Sequence, residues 1–415
     1  MTFLPQMAVK NLFRYGRRTL ITASAIAIGI TAFILMDSVL KGIGQDSERN
    51  LIWYETGSAA FFHPEYWEDR SYMPLDRPVE QSGELVDALR SRHIEASPRI
   101  EFGGDLIIYK DPFPEDGNLQ VRVTAIDVDH DSDVFKIKDN VARGRYLEAG
   151  EEGLLMGQWL ARDMGADVGY EVTIVTRTID GYYQTMDLTI VGILESENPI
   201  VNRYGMYVPL DTARYALDMD DRATGVYISL PRGEEETIAL KKLAPLAAEK
   251  GLSLVDWRVM GADFVALAEA KKSGSSVVLY LVFLIAAVGI SNTILMSIFE
   301  RVRELGMMRA LGMKDRSIRI LFLMEAAGIG LMGSIGGVIL GALANIPLVN
   351  KGIDYSELLE QGDMGYRISS IMYGTWDTAT FMTAFFIGLF MAVLVAWLPT
   401  RRALKLGIPV CLRYN

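Results

Sequence analysis

The sequence has little of what soluble enzymes commonly rely on. It holds one cysteine, Cys411, in 415 residues, which excludes a disulfide scaffold and a cysteine-rich metal site. Three histidines, His63, His93 and His130, leave little material for imidazole catalysis or a zinc centre. The dipeptide Gly-Lys occurs nowhere, so the phosphate loop Gly-x-x-x-x-Gly-Lys-Ser/Thr is missing. No Ser/His/Asp order and no His-Glu-x-x-His spacing stands out, and no catalytic or metal-binding residue is assigned. Basic charge is short too: 41 Lys and Arg face 52 Asp and Glu, and the net charge of −11 argues against a nucleic-acid partner. With 50% hydrophobic and 22% charged residues, disorder and a collagen-like repeat are excluded.

What the chain does have is long stretches without charge. Thr19–Met36, Ser273–Phe299, Ala326–Asn350 and Thr378–Thr400 carry none, and the first continues past Asp37 to Leu40. A helix needs about 20 mostly apolar residues to cross a bilayer core of ~30 Å. The first run follows basic residues like a signal peptide, but it is too long and no small-x-small cleavage site with a clean exit follows it, so it reads as an uncleaved anchor. The fold class is therefore an α-helical membrane protein with four transmembrane helices. A large mixed α/β extracytoplasmic domain is inserted between helices 1 and 2. The expected divisions are 1–19 (cytoplasmic amphipathic segment), 20–40 (helix 1), 41–275 (extracytoplasmic domain), 276–299 (helix 2) and 300–317 (cytoplasmic connection). They continue as 318–347 (helix 3), 348–377 (external loop), 378–400 (helix 4) and 401–415 (cytoplasmic tail).

Basic residues mark the cytoplasmic side. Segments 1–19, 300–319 and 401–415 together carry 14 basic and 3 acidic residues, leaving 27 basic and 49 acidic for the rest. Both termini are therefore expected in the cytoplasm, with the large domain outside.

Within 41–275, Val121–Ile126 alternates like a half-buried strand, and Glu171–Thr178 and Met186–Ile193 flank the turn dipeptide Asp180-Gly181. Leu154–Met164 has helical spacing and stops at Gly165; Glu234–Lys250 is a helix candidate with Pro245 inside. Phe264–Lys272 is expected to be helical and to run through Ser273–Ser276 into helix 2. His63–Arg70 reads as a surface loop, and the acid pairs Glu151-Glu152 and Asp218–Asp221 as solvated loop residues.

In helix 3, Gly333, Gly337 and Gly341 recur every four residues, which leaves a flat face for another helix, either in the same chain or across a dimer. Asp37 and Glu325 are the acids nearest the bilayer and lie close to span ends. The connection after helix 2 opens with good helix formers, has Leu305, Met308 and Leu311 on one side, and is stopped by Gly312. It reads as a surface hairpin or as a docking helix for a cytoplasmic partner.

The stretch Glu300-Arg-Val-Arg-Glu-Leu-Gly-Met-Met-Arg-Ala-Leu-Gly312, followed by Ile318 through Glu325-Ala326, resembles the signature of the FtsX-like permeases of ABC transporters. Met7 through Leu20, running into Ala25–Gly29, resembles that family's amphipathic elbow and first span, and Leu398–Pro409 with Leu412-Arg-Tyr414 its closing motif. Gly144-Arg-Tyr146, Leu155–Ala161, Val191-Gly-Ile193 and Tyr207–Asp211 resemble the periplasmic core domain of macrolide-exporter-type and lipoprotein-releasing permeases.

The resemblance implies two permease subunits, as a homodimer or a heterodimer with a paralogue. Each would bind a separate ABC ATPase subunit, and those ATPases, not this chain, would hold ATP and Mg. Residues carried over to ATPase coupling are Glu300, Arg303, Glu304, Gly306, Arg309, Ala310 and Gly312. About 19 residues precede the first span, so no fused ATPase is expected. The outer domain is much larger than in the cell-division member of the family. Three functions stay open: extraction of lipoproteins or similar lipophilic substrates from the outer leaflet, a tripartite exporter of small molecules, peptides or toxins, and a transmembrane signal that controls a cell-wall hydrolase. The outside partner would be a lipoprotein carrier or an adaptor. A lipid route would have an apolar entrance lined by Ile30, Phe33, Ile34, Tyr280 and Phe283.

Overall fold

Ten strands, some alternating and some buried at every position, build one sheet. They are β1 (Ala59–Phe62), β2 (Glu95–Ile108), β3 (Asn118–Ile126), β4 (Val141–Gly144), β5 (Gly153–Gly157), β6 (Glu171–Arg177), β7 (Tyr183–Leu194), β8 (Met206–Pro209), β9 (Gly225–Ser229) and β10 (Ser253–Asp256). The computed structural model describes all residues except 1–2, 15, 109–117, 232, 267–268, 271–283, 285–286, 289–290, 292–294, 297–298, 301, 356–370, 405–410 and 412–415. The chain divides into two compact units: residues 45–266 with 355–370, and residues 1–44, 267–354 and 371–415.

The first unit holds the sheet, in the order β10-β1-β9-β2-β3-β8-β5-β7-β4, with β6 paired to both β2 and β7. That double pairing closes β2-β3-β8-β5-β7-β6 into a ring. Every second residue of the ring strands points to a shared apolar interior, as with Phe102, Val123, Met156, Ile174, Ile190 and Val208. The β6–β7 hairpin pairs Glu171 with Thr189 through Arg177 with Tyr183, and its turn holds Gly181 at φ +84°. β2 has 14 residues. It pairs with β9 up to Arg99 and with β3 from Arg99 onward, so the sheet branches at that residue.

Three expectations need correction here. Leu154–Met164 is not one helix: Gly153–Gly157 is a strand, and only Gln158–Asp163 is helical. Leu154, Leu155 and Met156 are fully buried between β7 and β8, and a short apolar run buried on both sides satisfies strand and helix periodicity alike. His63–Arg70 is not a loop: His63 caps the helix Pro64–Asp69 through Nδ1, and Tyr66 is buried in a stack with Phe62. Of the loop acids, Glu151 departs from the expectation: it is largely buried and holds the Arg145 guanidinium at 2.6 and 3.0 Å, whereas Glu152, Asp218 and Asp221 are exposed, Asp221 Oδ1 accepting from the Gly83 amide at 3.1 Å and from Arg214 at 3.3 Å. The helix Glu234–Glu249 matches its expected span, with Pro245 inside.

The second unit is helical. Its helices are Phe3–Arg14, Gly16–Leu51 (whose last residues, from Gln45, belong to the sheet unit), Val302–Ala310, Asp315–Asn350 and Thr378–Ala403. Among the described residues three stretches are long and apolar enough to cross a membrane: Thr19–Thr56, Asp315–Asn350 and Thr378–Arg402. Most of the expected helix 2, and the continuity through Ser273–Ser276, lie outside the described residues. A short antiparallel pair, Ile353–Asp354 with Ile371–Met372, bounds the loop before the last span.

Candidate functional site

The segment 300–316 folds as a helix, a reversal and the start of the next helix. Gly312 takes φ +89°, a conformation that costs a residue with a Cβ. The Gly312 amide donates to the Arg309 carbonyl and the Met313 amide to the Met308 carbonyl, each at 3.0 Å. These two bonds form a Schellman ending, and they satisfy carbonyls that the helix end would otherwise leave bare. Arg309 Nε then reaches Asp315 Oδ1 at 3.0 Å, and the Arg309 side chain is only 17% exposed.

The coupling residues therefore separate. Arg303 and Ala310 face outward, Glu300 is exposed, Glu304 is half-buried and Gly306 is buried. Arg309 is turned back onto the hairpin itself. Met307, which the sequence pattern does not single out, completes the outward surface at 47% exposed, together with Leu311 at 88%. Helical phase groups Leu311 with Leu305 and Met308, but Met308 is half-buried and Leu311 exposed. It stands one residue past Ala310, where that phase no longer applies.

The helix Phe3–Arg14 lies against the helix Asp315–Asn350. Leu12 fills the space over Gly328, where a Cβ would clash. Asn11 Nδ2 donates to Glu325 Oε1 at 2.5 Å, Thr19 Oγ1 donates to the Leu12 carbonyl at 3.0 Å, and Arg14 lies 3.8 Å from Glu304. Glu325, one of the acids nearest the bilayer, is thus committed to a neighbouring helix.

The glycine face is filled from within the chain. A Cβ at Gly333 would stand 2.7 Å from Ile26 Cβ, at Gly337 2.7 Å from Ile30 Cβ, and at Gly341 2.7 Å from Ile34 Cδ1. The small residues let the helices Gly16–Leu51 and Asp315–Asn350 meet with little between their backbones. Thr31 Oγ1 adds a hydrogen bond to the Gly337 carbonyl at 3.2 Å. This corrects the proposed entrance: Ile30 and Ile34 are buried against these glycines and cannot line an opening. Phe33 is half-buried, and Tyr280 and Phe283 lie outside the described residues.

At the other end of the spans, Lys41 Nζ joins polar groups of two helices. It lies 2.8 Å from Asp37 Oδ2, 2.5 Å from Asp377 Oδ2 and 2.7 Å from Thr380 Oγ1. The hydrogen bond from Lys41, with those from the Ala379 amide and Thr380, holds the Asp377 carboxyl down to about 2. Ser38 and Thr375 exchange hydrogen bonds at 2.9 Å, and Asn345 donates to the Thr375 carbonyl at 3.2 Å. Asp37 is therefore part of a structural ion-pair network. The i,i+4 spacing of Asp37 and Lys41, and Asp377 immediately before the helix at Thr378, were signals available in the sequence.

In the sheet unit, the buried titratable pair is Arg99 and Asp131. Arg99 Nε and Nη2 donate to Asp131 at 2.8 and 2.9 Å, Ser97 Oγ lies 3.2 Å from the same carboxylate, and the guanidinium sits 3.2 Å over the Phe135 ring. Burial works against the Arg99 charge, but the Asp131 carboxylate outweighs it and holds its pKa above the ordinary value. No group of three or more metal-ligating side chains occurs among the described residues.

Residues 276–408 match the FtsX-like permease C-terminal family, and residues 19–246 match the MacB-like periplasmic core domain family, which alone spans more than half of the chain. The chain belongs to the FtsX-like ABC transporter permeases with a MacB-like periplasmic core domain. The permease is 21% identical to the lipoprotein-releasing system transmembrane protein LolC of Neisseria meningitidis serogroup B, over 96% of this chain and 94% of that one. It is 21% identical to the macrolide export ATP-binding/permease protein MacB of Escherichia coli, over 97% of this chain and 59% of that one. It is 24% identical to the probable syringafactin export ATP-binding/permease protein SyfD of Pseudomonas syringae pv. syringae, over 96% of this chain and 58% of that one. Among solved structures, the periplasmic region of MacB from Actinobacillus actinomycetemcomitans matches with a TM-score of 0.35 and 13% identity, covering 50% of this chain and 92% of that one. The permease is thus a membrane protein of mixed construction, apolar helices together with a mixed α/β periplasmic core domain.

Proposed function

We propose that this permease couples ATP hydrolysis by a separate ATPase subunit to the release of lipoproteins, or of a similar lipophilic substrate, from the outer leaflet of the inner membrane. One observation carries this reading: the likeness to LolC runs through nearly the whole of both chains, so spans and outer domain correspond together. Two permease subunits would act as a pair, with their ends in the cytoplasm and the sheet unit in the periplasm. The concentration of basic residues in 1–19, 300–319 and 401–415 supports that orientation. The ATPase would seat on the outward side of the 300–312 hairpin, through Arg303, Met307, Ala310 and Leu311.

The similarity to MacB and SyfD supports a second reading, an exporter of small amphipathic molecules. The chain spans about three fifths of the length of these relatives. One reconstitution separates the two. The permease and its co-purifying ATPase are placed in vesicles that hold an acylated lipoprotein, and ATP-dependent transfer to a soluble acceptor is measured. Leu311→Glu is expected to abolish transfer and ATPase recovery together, since it puts a charge where an apolar contact is needed. ATP-driven movement of a macrolide without lipoprotein release would overturn the first reading in favour of the second.

A further inference from the structure

The helix Phe3–Arg14 is short, yet three other elements hold it. At its end, the buried Thr19 of the helix Gly16–Leu51 donates to the Leu12 carbonyl at 3.0 Å. Against the helix Asp315–Asn350, Asn11 Nδ2 donates to Glu325 Oε1 at 2.5 Å. Leu12 fills a notch beside it, where a Cβ on Gly328 would stand 2.4 Å from Leu12 Cδ1. Arg14 Nη1 lies 3.8 Å from Glu304 Oε1 in the helix Val302–Ala310. This last pair is long and open to water, so it adds little. The grip is at Asn11 and Leu12.

Glu325 is 9% exposed, and an acid this far from water is costly unless it is hydrogen-bonded. The Asn11 bond offsets part of that cost and fixes where the Phe3–Arg14 helix sits along its neighbour. The 300–312 hairpin holds the same neighbour slightly earlier in the chain. There Met308 and Met313 pack against the buried core that includes Ile318 and Phe322. The glycine face between the helices Gly16–Leu51 and Asp315–Asn350 is flat, so it resists their separation but not their sliding. The Phe3–Arg14 helix leads into the first of these and is locked onto the second, and so opposes that slide. We propose that Glu325 is a positioning residue for coupling. Through Asn11 it makes the Phe3–Arg14 helix a brace, and the hairpin and the helix Gly16–Leu51 then move as one body. The proposal rests on the seating of an ATPase on that hairpin. A push on the hairpin would reach the first long helix through the brace as well as through the glycine face.

The test uses the full chain with its co-purifying ATPase in vesicles. Spin labels are placed on Leu20→Cys and Lys314→Cys, both exposed positions, in a Cys411→Ser background. If that background does not fold, the buried Cys411 is retained. With the brace intact, the distance between labels is expected to keep one narrow distribution with and without ATP and vanadate. Glu325→Leu should broaden it in the presence of ATP and vanadate, and should lower ATP turnover on the order of tenfold, with the KM for ATP and the recovery of ATPase unchanged. Gly328→Leu, which expels Leu12, should do the same. Glu325→Gln should behave as the unsubstituted chain, since its amide oxygen still accepts from Asn11. If Glu325→Leu does not insert, Asn11→Ala removes the same bond from the other helix. A distance that shifts with ATP in the unsubstituted chain, or a distribution that stays narrow in Glu325→Leu while ATPase is bound, would overturn the brace. So would a loss in Glu325→Gln equal to that in Glu325→Leu, because the acid would then act through its charge. Failure to recover any ATPase with the unsubstituted chain would instead remove the seating on which the proposal rests, and the proposal with it.

Discussion

Lys41 sits between two carboxylates, and the consequence for pH follows from which group is shifted. Asp377 is held at about 2 against an ordinary 3.8, with Lys41 as the first cause. A carboxyl whose folded pKa is depressed stabilises the fold above its unfolded pKa and loses that contribution as pH falls toward the folded value. The contact should therefore be indifferent to pH from about 5 to 8 and fade only below about 4. Thermal melting of the purified permease and of Lys41→Met checks this. The gap between them should be constant over the upper range and close in acid, and a gap that varied near neutrality would assign the stabilisation to another group. A second ion pair, Arg99 with Asp131, is buried in the sheet unit. Neither pairing was legible in the sequence. Arg99 and Asp131 are far apart in the chain, as are Lys41 and Asp377, and no periodicity brings such pairs together.

At the scale of elements, the boundary between legible and illegible follows local chemistry. The β6–β7 hairpin could be read because Asp180-Gly181 supplies the positive φ its turn needs and the flanking residues alternate. The end of the helix Val302–Ala310 could be read because Gly312 is the residue that a Schellman reversal requires. Leu154–Met156 could not, since burial on both sides erases the polar half of the pattern. Arg309 shows a different limit. The family motif marks it for coupling, but the fold shows it holding Asp315 at the start of the next helix. Arg309→Glu is therefore expected to weaken the hairpin by up to about 1 kcal/mol and to reduce ATPase recovery indirectly. Arg309→Glu combined with Asp315→Arg should restore recovery. If the reversed pair recovers no more ATPase than Arg309→Glu alone, Arg309 acts on the ATPase and not on the hairpin.

For the whole molecule, the division into a helical unit and a sheet unit was legible from the spacing of apolar runs and the distribution of charge. The closure of six strands was not, because β6 pairs with β2 across more than sixty residues of sequence. A closed ring leaves no free edge among its members, whereas among the described residues β10 and β4 each have one neighbour. Hydrogen exchange should reflect this. Amides of β3, β5 and β8 should exchange only in the slowest class, and those of β4 and β10 should exchange earlier. Uniform protection across all ten strands would show that the sheet opens as one piece.

The pairing of β1 with β10 has a consequence for how the chain is joined. Ala59 faces Asp256 and Phe62 faces Ser253, so the strand by which the chain enters the sheet unit lies beside the strand by which it leaves. The two ends of the 45–266 segment thus emerge at one rim of the sheet. An inserted body whose entrance and exit touch makes little demand on the distance between the helices that carry it. The roughly two hundred residues between those strands amount to a single detour, closed at its base like a loop of rope cinched by a knot. Outer domains of very different bulk could be carried on the same set of spans, provided each returned to its starting point.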